Sequence, residues 1–145
     1  MAAVRVVIFN DRGEVCCVRH AYGAQDWNVP GGAVEQDESL LAAAPRETLE
    51  ETGLAVHIQA LVGLYSIPAT SDLIAVFTAT IKKQYSWMPN SEIADVIFVA
   101  PTALPTPMHP CVVRGLWDAL DGRRGLVRVL NPDGTVQETL EQAPY

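Results

Sequence analysis

Between positions 35 and 51 the chain gathers six carboxylates, Glu35, Asp37, Glu38, Glu47, Glu50 and Glu51, around a single cation, Arg46. On a helix, Glu47 stands three residues before Glu50 and four before Glu51, which puts all three on one face. Like charges at these spacings destabilise a helix by roughly 0.2–0.5 kcal/mol per pair. The macrodipole adds to the penalty, because Glu50 and Glu51 fall near the C-terminal end, where anions are disfavoured. Spacing alone leaves two readings open. One is a solvated acidic helix face, common in acidic proteins; the other is a set of carboxylates collected for a hard divalent cation. Mg²⁺ suits the second, since it takes carboxylate oxygens and keeps waters for a phosphate-bearing substrate. Just upstream, Pro30-Gly31-Gly32 is a tight turn whose glycines let backbone come close to a ligand or a metal.

These side chains need a frame. Ser39 to Glu51 is rich in Leu, Ala and Glu and stops at Thr52-Gly53, the signature of a helix with a glycine C-cap. Val4 to Phe9 and Val15 to Val18 are β-branched apolar runs around Asn10-Asp11-Arg12-Gly13, two antiparallel strands joined by a turn. Trp27 to Val29 reads as a short strand stopped by the proline and glycines. Val56 to Ile67 and Leu73 to Ile81 are strands split by a turn at 68–72, and Ile93 to Val99 is another. Four prolines between Pro101 and Pro110 make a loop or single turns. Cys111 to Leu120 is an amphipathic helix, and Leu126 to Leu140 a hairpin around Asn131-Pro132-Asp133-Gly134. The pattern is α/β with a mixed sheet, and the expected organisation is a single domain over residues 1–145.

Composition narrows the partners. A chain of 145 residues that is 49% hydrophobic and 19% charged can bury a sizeable core, which excludes a disordered chain. Its formal net charge of -7 is the wrong sign for a nucleic acid duplex or an anionic membrane. No apolar run approaches the roughly 20 residues that span a bilayer. The opening MAAVRVVIFN carries an Arg within its apolar run and no cleavage pattern, so it is not read as a secretion signal. Cys16 and Cys17 are adjacent and point to opposite faces of a strand, and Cys111 stands alone, so reduced, packed thiols are expected. The expected compartment is the cytoplasm.

Gly32, Glu38, Arg46-Glu47-Thr48, Glu50-Glu51 and Gly53-Leu54, at the spacing in which they stand, fill a 23-residue pattern that resembles the Nudix box. All seven fixed positions are occupied, and the order of strands around the box resembles a Nudix domain over nearly the whole chain. The resemblance implies an α/β/α sandwich around a mixed β-sheet, with the box forming loop, helix and loop. Two positions depart from the family pattern. Thr48 stands where a bulky aliphatic is usual. Pro45 lies inside the helix, where it removes a backbone bond at a cost of about 3 kcal/mol and implies a kink or irregular first half that displaces the metal-binding face.

The resemblance also implies roles. Glu47, Glu50 and Glu51, joined by the backbone carbonyl of Gly31, would hold Mg²⁺ or Mn²⁺. Arg46 would orient Glu47 and pair with Glu38, while Gly32 and Gly53 shape the loops of the box. Bound ions would neutralise a diphosphate and activate a water for in-line attack. A further carboxylate outside the box often serves as ligand or base. Asn90-Ser91-Glu92-Ile93 resembles that region, which makes Glu92 the candidate; Glu35, just after the glycine turn, is a weaker candidate for metal or substrate contact. Tyr22 and Trp27 flank the loop into the box and could stack on a base or act as ordinary rim aromatics. Arg19 and His20 end a strand aimed at the same place, where either could touch phosphate; His20, His57 and His109 show no mutual metal spacing.

The expected reaction is metal-dependent hydrolysis of the diphosphate linkage in a nucleoside diphosphate bound to a group X. ADP-ribose or a related nucleotide sugar is the leading case, because Pro68 lies 15 residues after Gly53, where that branch of the family carries a proline. The alternative is a nucleoside triphosphate pyrophosphohydrolase that removes oxidised nucleotides. That branch reads its base with an asparagine in a late loop, and Thr106 to Pro110 has none. A non-catalytic nucleotide sensor is the reading from another class, but such domains usually carry eroded boxes and a DNA-binding module. A metal-dependent isomerase of allylic diphosphates is a further alternative, disfavoured by the intact box and short chain. Homodimers are frequent in the family.

Overall fold

The computed structural model describes residues 1–141. Among them nine strands form one mixed sheet, with a helix on each face. The strands are β1 (Ala2–Phe9), β2 (Val15–His20), β3 (Trp27–Asn28), β4 (Gly31–Ala33), β5 (Leu54–Ile67), β6 (Asp72–Gln84), β7 (Ile93–Val99), β8 (Leu126–Leu130) and β9 (Val136–Leu140). The helices are α1 (Leu40–Thr52) and α2 (Pro110–Leu120). The main order is β3-β2-β1-β6-β5-β8-β9, with β4 paired to β1 and β7 to β2. The β1–β6 and β5–β8 pairs are parallel and the others antiparallel. Residues 101–110 hold one short 3₁₀ turn, Pro101–Ala103, as their prolines require.

Period-two patterning divides the core into two layers. Val4, Val6 and Ile8 of β1 pack with Ala43 and Ala44 of α1, whereas Val7 turns to the layer of Leu116 and Ala119 from α2. The adjacent cysteines separate in the same way, Cys16 beneath α1 and Cys17 in the α2 layer, and all three thiols are free and buried. Two expectations change. The first two strands meet only at Phe9 and Val15, after which β2 leaves β1 and takes β7 as its main partner. The glycine turn after Pro30 is itself strand: Gly31, Gly32 and Ala33 pair antiparallel with Arg5, Val4 and Ala3.

Helix α1 is closed at both ends. The Ser39 hydroxyl accepts from the Ala42 N–H at 3.0 Å, and Gly53, at φ 74°, donates its N–H to Leu49 O. A Cβ on Gly53 would also sit 2.9 Å from Trp87 Cβ and Tyr85 O. The irregularity expected from Pro45 does not appear, since α1 is continuous from Leu40 to Thr52. Pro45 has no N–H to give the Leu41 carbonyl, and the helix runs on through it. Thr48 is fully buried, and its hydroxyl donates to Ala44 O at 2.8 Å, so the polar residue in an apolar position is satisfied.

On the opposite face Asp118 of α2 is buried, accepting from Arg128 Nε at 2.7 Å and Nη2 at 2.8 Å and from the Tyr65 hydroxyl at 2.8 Å. This network ties α2 to β5 and β8. Replacing one member leaves the others buried and unpaired, so Asp118→Ala should cost about 3–5 kcal/mol in urea unfolding. A loss below about 1 kcal/mol would show that the network contributes little.

Candidate active site

The β1–β4 ladder fixes a short edge of backbone, and α1 lays two carboxylates against it. Gly31 N–H donates to Glu51 Oε1 at 2.9 Å. A Cβ built on Gly32 would lie 2.7–2.8 Å from the carboxyl atoms of Glu47, so that carboxylate fills the space a side chain would take. On Gly31 a Cβ would lie 2.0 Å from Val4 O and 2.9 Å from Arg5 Cδ. Gly31 is therefore required by the backbone that passes over it, whereas Gly32 leaves the space that Glu47 fills.

Glu51 is 7% exposed. Burial pushes its pKa up to about 7; the charges of Glu47 and Glu92 push the same way, and the Gly31 N–H and Arg5 oppose them. Burial also raises Glu47, against the pull of Arg46. These are carboxylates whose charge is poorly compensated by the protein.

Arg46 organises the other acids. Its Nε and Nη2 hold Glu38 at 2.6 and 2.9 Å, its Nη1 reaches Glu47 at 3.2 Å and Glu35 at 3.5 Å, and its Nη2 donates to Ala33 O at 3.3 Å. This bidentate pairing draws the Glu38 carboxyl well below its usual range, to about 2. Glu50 also sits on Nη1, at 3.2 and 3.3 Å. The face expected to carry three carboxylates thus brings Glu47 and Glu51 together at the glycines and turns Glu50 to Arg46. Among the described residues no group of three His, Cys, Asp or Glu side chains is gathered as a metal cage. The donors present nonetheless suit a hard divalent cation: two oxygen ligands, poorly neutralised, beside backbone bare of side chains.

Arg5 is the functional candidate that sequence reading missed. It faces Gly31 across the ladder, and its Nη1 donates to Val29 O at 3.1 Å. Its Nε is sealed from solvent without a hydrogen-bond partner among the described residues. Burial lowers the pKa of its guanidinium, against the raising charges of Glu51 and Glu47. A lone cation in a run of Val and Ile, on an alternate position of the strand, was the only available signal.

A profile described as NUDIX domain matches residues 1–115. The chain belongs to the Nudix family. A protein of Bacillus subtilis (strain 168), provisionally named an 8-oxo-dGTP diphosphatase, is 32% identical over 117 residues, covering 81% of this chain and 78% of that protein. The crystal structure of a UDP-X diphosphatase matches with TM-score 0.69 at 27% identity, covering 86% of this chain and 64% of that one. A Nudix hydrolase from Nitrosomonas europaea shares the fold at TM-score 0.73 and 24% identity, over 90% and 78% of the two chains. The enzyme class is Nudix pyrophosphohydrolase, and Nudix enzymes generally require a divalent cation such as Mg²⁺. No helix among the described residues is long and apolar enough to cross a membrane.

In this Nudix domain Arg5 and Gly32 also line a cavity of about 290 Å³, with Asn28, Asp72 and His109 in its wall. Pro68 opens the 3₁₀ turn Pro68–Thr70, whose Thr70 completes the wall. The other expected substrate residues lie around the mouth of β2 and are not part of that wall. Tyr22 is exposed and stacks on His20 at 5.4 Å, and the Arg19 guanidinium lies 5.8 Å over the Trp27 ring. Glu92 is an exposed loop residue whose carbonyl accepts from Ala21 N–H at 2.8 Å, which ties its loop to the end of β2. Glu35 is exposed and sits on Arg46 rather than near Glu51.

Two outcomes follow from this geometry. Because folding raises the Glu51 pKa from 4.5 to about 7, its contribution to stability is complete below about pH 4.5 and is lost as pH rises through 7. In chelator, Glu51→Gln should therefore melt close to wild type at pH 4.5 and progressively above it towards pH 8; equal melting at pH 8 would refute the buried charge. Gly32→Ala should keep the fold, since only the end of the Glu47 side chain must move, yet reduce turnover by about 10²-fold. Turnover within two-fold of wild type would remove Glu47 from the site.

Proposed function

We propose that this enzyme hydrolyses the diphosphate linkage of nucleoside diphosphate derivatives, giving a nucleotide and a phosphorylated group X. The observation that carries the reading is the Glu47–Glu51 pair against Gly31 and Gly32, the second of which also lines a cavity. Glu47 and Glu51, with Glu50 and the Gly31 carbonyl, would hold Mg²⁺ or Mn²⁺, which when bound neutralises the diphosphate and acidifies a water. Arg46 keeps Glu47 oriented while pairing with Glu38. Glu92 takes the proton as the water oxygen bonds to phosphorus. The bridging P–O bond then breaks, and its electron pair leaves with the other phosphate. Arg19, His20, Tyr22 and Trp27 guide the substrate into the site, and three buried free thiols support a cytoplasmic location.

ADP-ribose or a nucleotide sugar remains the leading substrate class, supported by Pro68, which opens the turn whose Thr70 lines the cavity, and by the likeness to a UDP-X diphosphatase. Hydrolysis of a nucleoside triphosphate is the second reading, favoured by the name of the Bacillus subtilis relative. ADP-ribose, a UDP-sugar, dGTP and 8-oxo-dGTP, each supplied with Mg²⁺, separate the two by product. The first class releases a nucleoside monophosphate and a sugar phosphate; the second releases pyrophosphate. Excess chelator should abolish all activity, and full activity after dialysis against it would end the metal mechanism. Glu92→Gln should lower turnover by about 10²–10⁴-fold with an unchanged melting temperature. A change below two-fold would exclude Glu92 as the base.

A further inference from the structure

Arg5 is placed for a second task. Its side chain crosses Gly31, as the 2.9 Å approach of Cδ to a Cβ built there shows, and the N–H of that same glycine holds Glu51. One of its donors is spent on Val29 O, Nε has no partner among the described residues, and the residue forms part of the cavity wall. A guanidinium has five N–H donors, so most of its capacity is unused. Its charge acts on both carboxylates, after Arg46 at Glu47 and after the Gly31 N–H at Glu51.

We propose that Arg5 is the resting counter-ion of the Glu47–Glu51 pair and is handed over to a phosphate of the substrate when a divalent cation takes the carboxylates. The hand-over rests on the proposed reading of the site for the identity of its acceptor, a phosphate oxygen. The counter-ion role does not depend on that reading. The chemistry is an exchange of partners: a cation at the carboxylates ends their claim on the guanidinium and repels it, and a phosphate on the cavity side offers planar, bidentate recognition. Arg5 is thus a positioning residue for the carboxylates and a binding residue for substrate, and the two roles have opposite signatures.

Two ligands expose them: Mn²⁺ alone, and methylenediphosphonate, a non-hydrolysable diphosphate, with saturating Mn²⁺. Both are titrated calorimetrically at pH 8. Arg5→Met should bind Mn²⁺ at least about three-fold more tightly, because a competing positive charge has gone. It should bind methylenediphosphonate about 10- to 100-fold more weakly, the worth of a hydrogen bond to a charged group. Arg5→Lys, which keeps the charge but not the fork, should bind Mn²⁺ like wild type and the diphosphonate about three- to ten-fold more weakly, and it carries the test if Arg5→Met does not fold. A purely structural role predicts that both affinities fall together with the melting temperature, and that result overturns the proposal. Wild-type binding of the diphosphonate with no loss in either variant overturns the hand-over alone. Wild type that binds Mn²⁺ but no diphosphonate overturns the reading of the site and the hand-over with it.

Discussion

Two carboxylates one helical turn apart, pressed against a backbone without side chains, set the terms for everything near them. Carboxylates do not choose to be buried beside each other, since each loses hydration and repels the other. The fold holds Glu47 and Glu51 there from both sides. The β1–β4 ladder immobilises Gly31 and Gly32, and α1, capped at Ser39 and Gly53, delivers the two acids at the required height. The chain stores an electrostatic debt at this edge, of the kind a divalent cation is suited to clear.

That debt is tolerable because the sheet behind it is over-determined. β1 pairs with β6 over its full length, from Ala2–Leu73 to Phe9–Thr80, and its alternating side chains fill two separate cores. The second core is locked by Asp118, Arg128 and Tyr65, on the face of the sheet that carries α2 rather than α1. Strain at the functional edge is thus insulated from the elements that keep the domain folded. Arg46 mediates at the boundary: it joins the loop at Glu38, the strand at Ala33 and the helix at Glu47 and Glu50.

What could be read in the sequence, and what could not, follows from how local each signal is. The acids of α1, its glycine cap and the alternation of β1 lie within a few residues of their causes, so their types and spacing are legible. β4 was read as a turn because two glycines carry no side-chain pattern, and only pairing with β1 makes them strand. Pro45 drew an expectation of irregularity from local chemistry alone; tertiary packing of Ala43, Ala44 and Thr48 keeps the helix whole. The divided orientation of Glu50 follows from competition for one guanidinium, which spacing does not rank. Arg5 and the cavity were the hardest to see. Arg5 gains its meaning from Gly31, 26 positions away, and the cavity wall is assembled from segments as distant as Asn28, Asp72 and His109.

The back-to-back cysteines give this architecture an internal clock. Cys16 lies in the layer under α1 and Cys17, one residue on, in the layer under α2, with Cys111 as a second thiol on that side. A thiol reagent reaches each sulfur only when its own layer opens, so the exchange rates of neighbours on one strand time two different breathing motions. The layer whose thiol reacts first is the layer that loosens first, and the domain carries the reporters for that comparison in its native sequence.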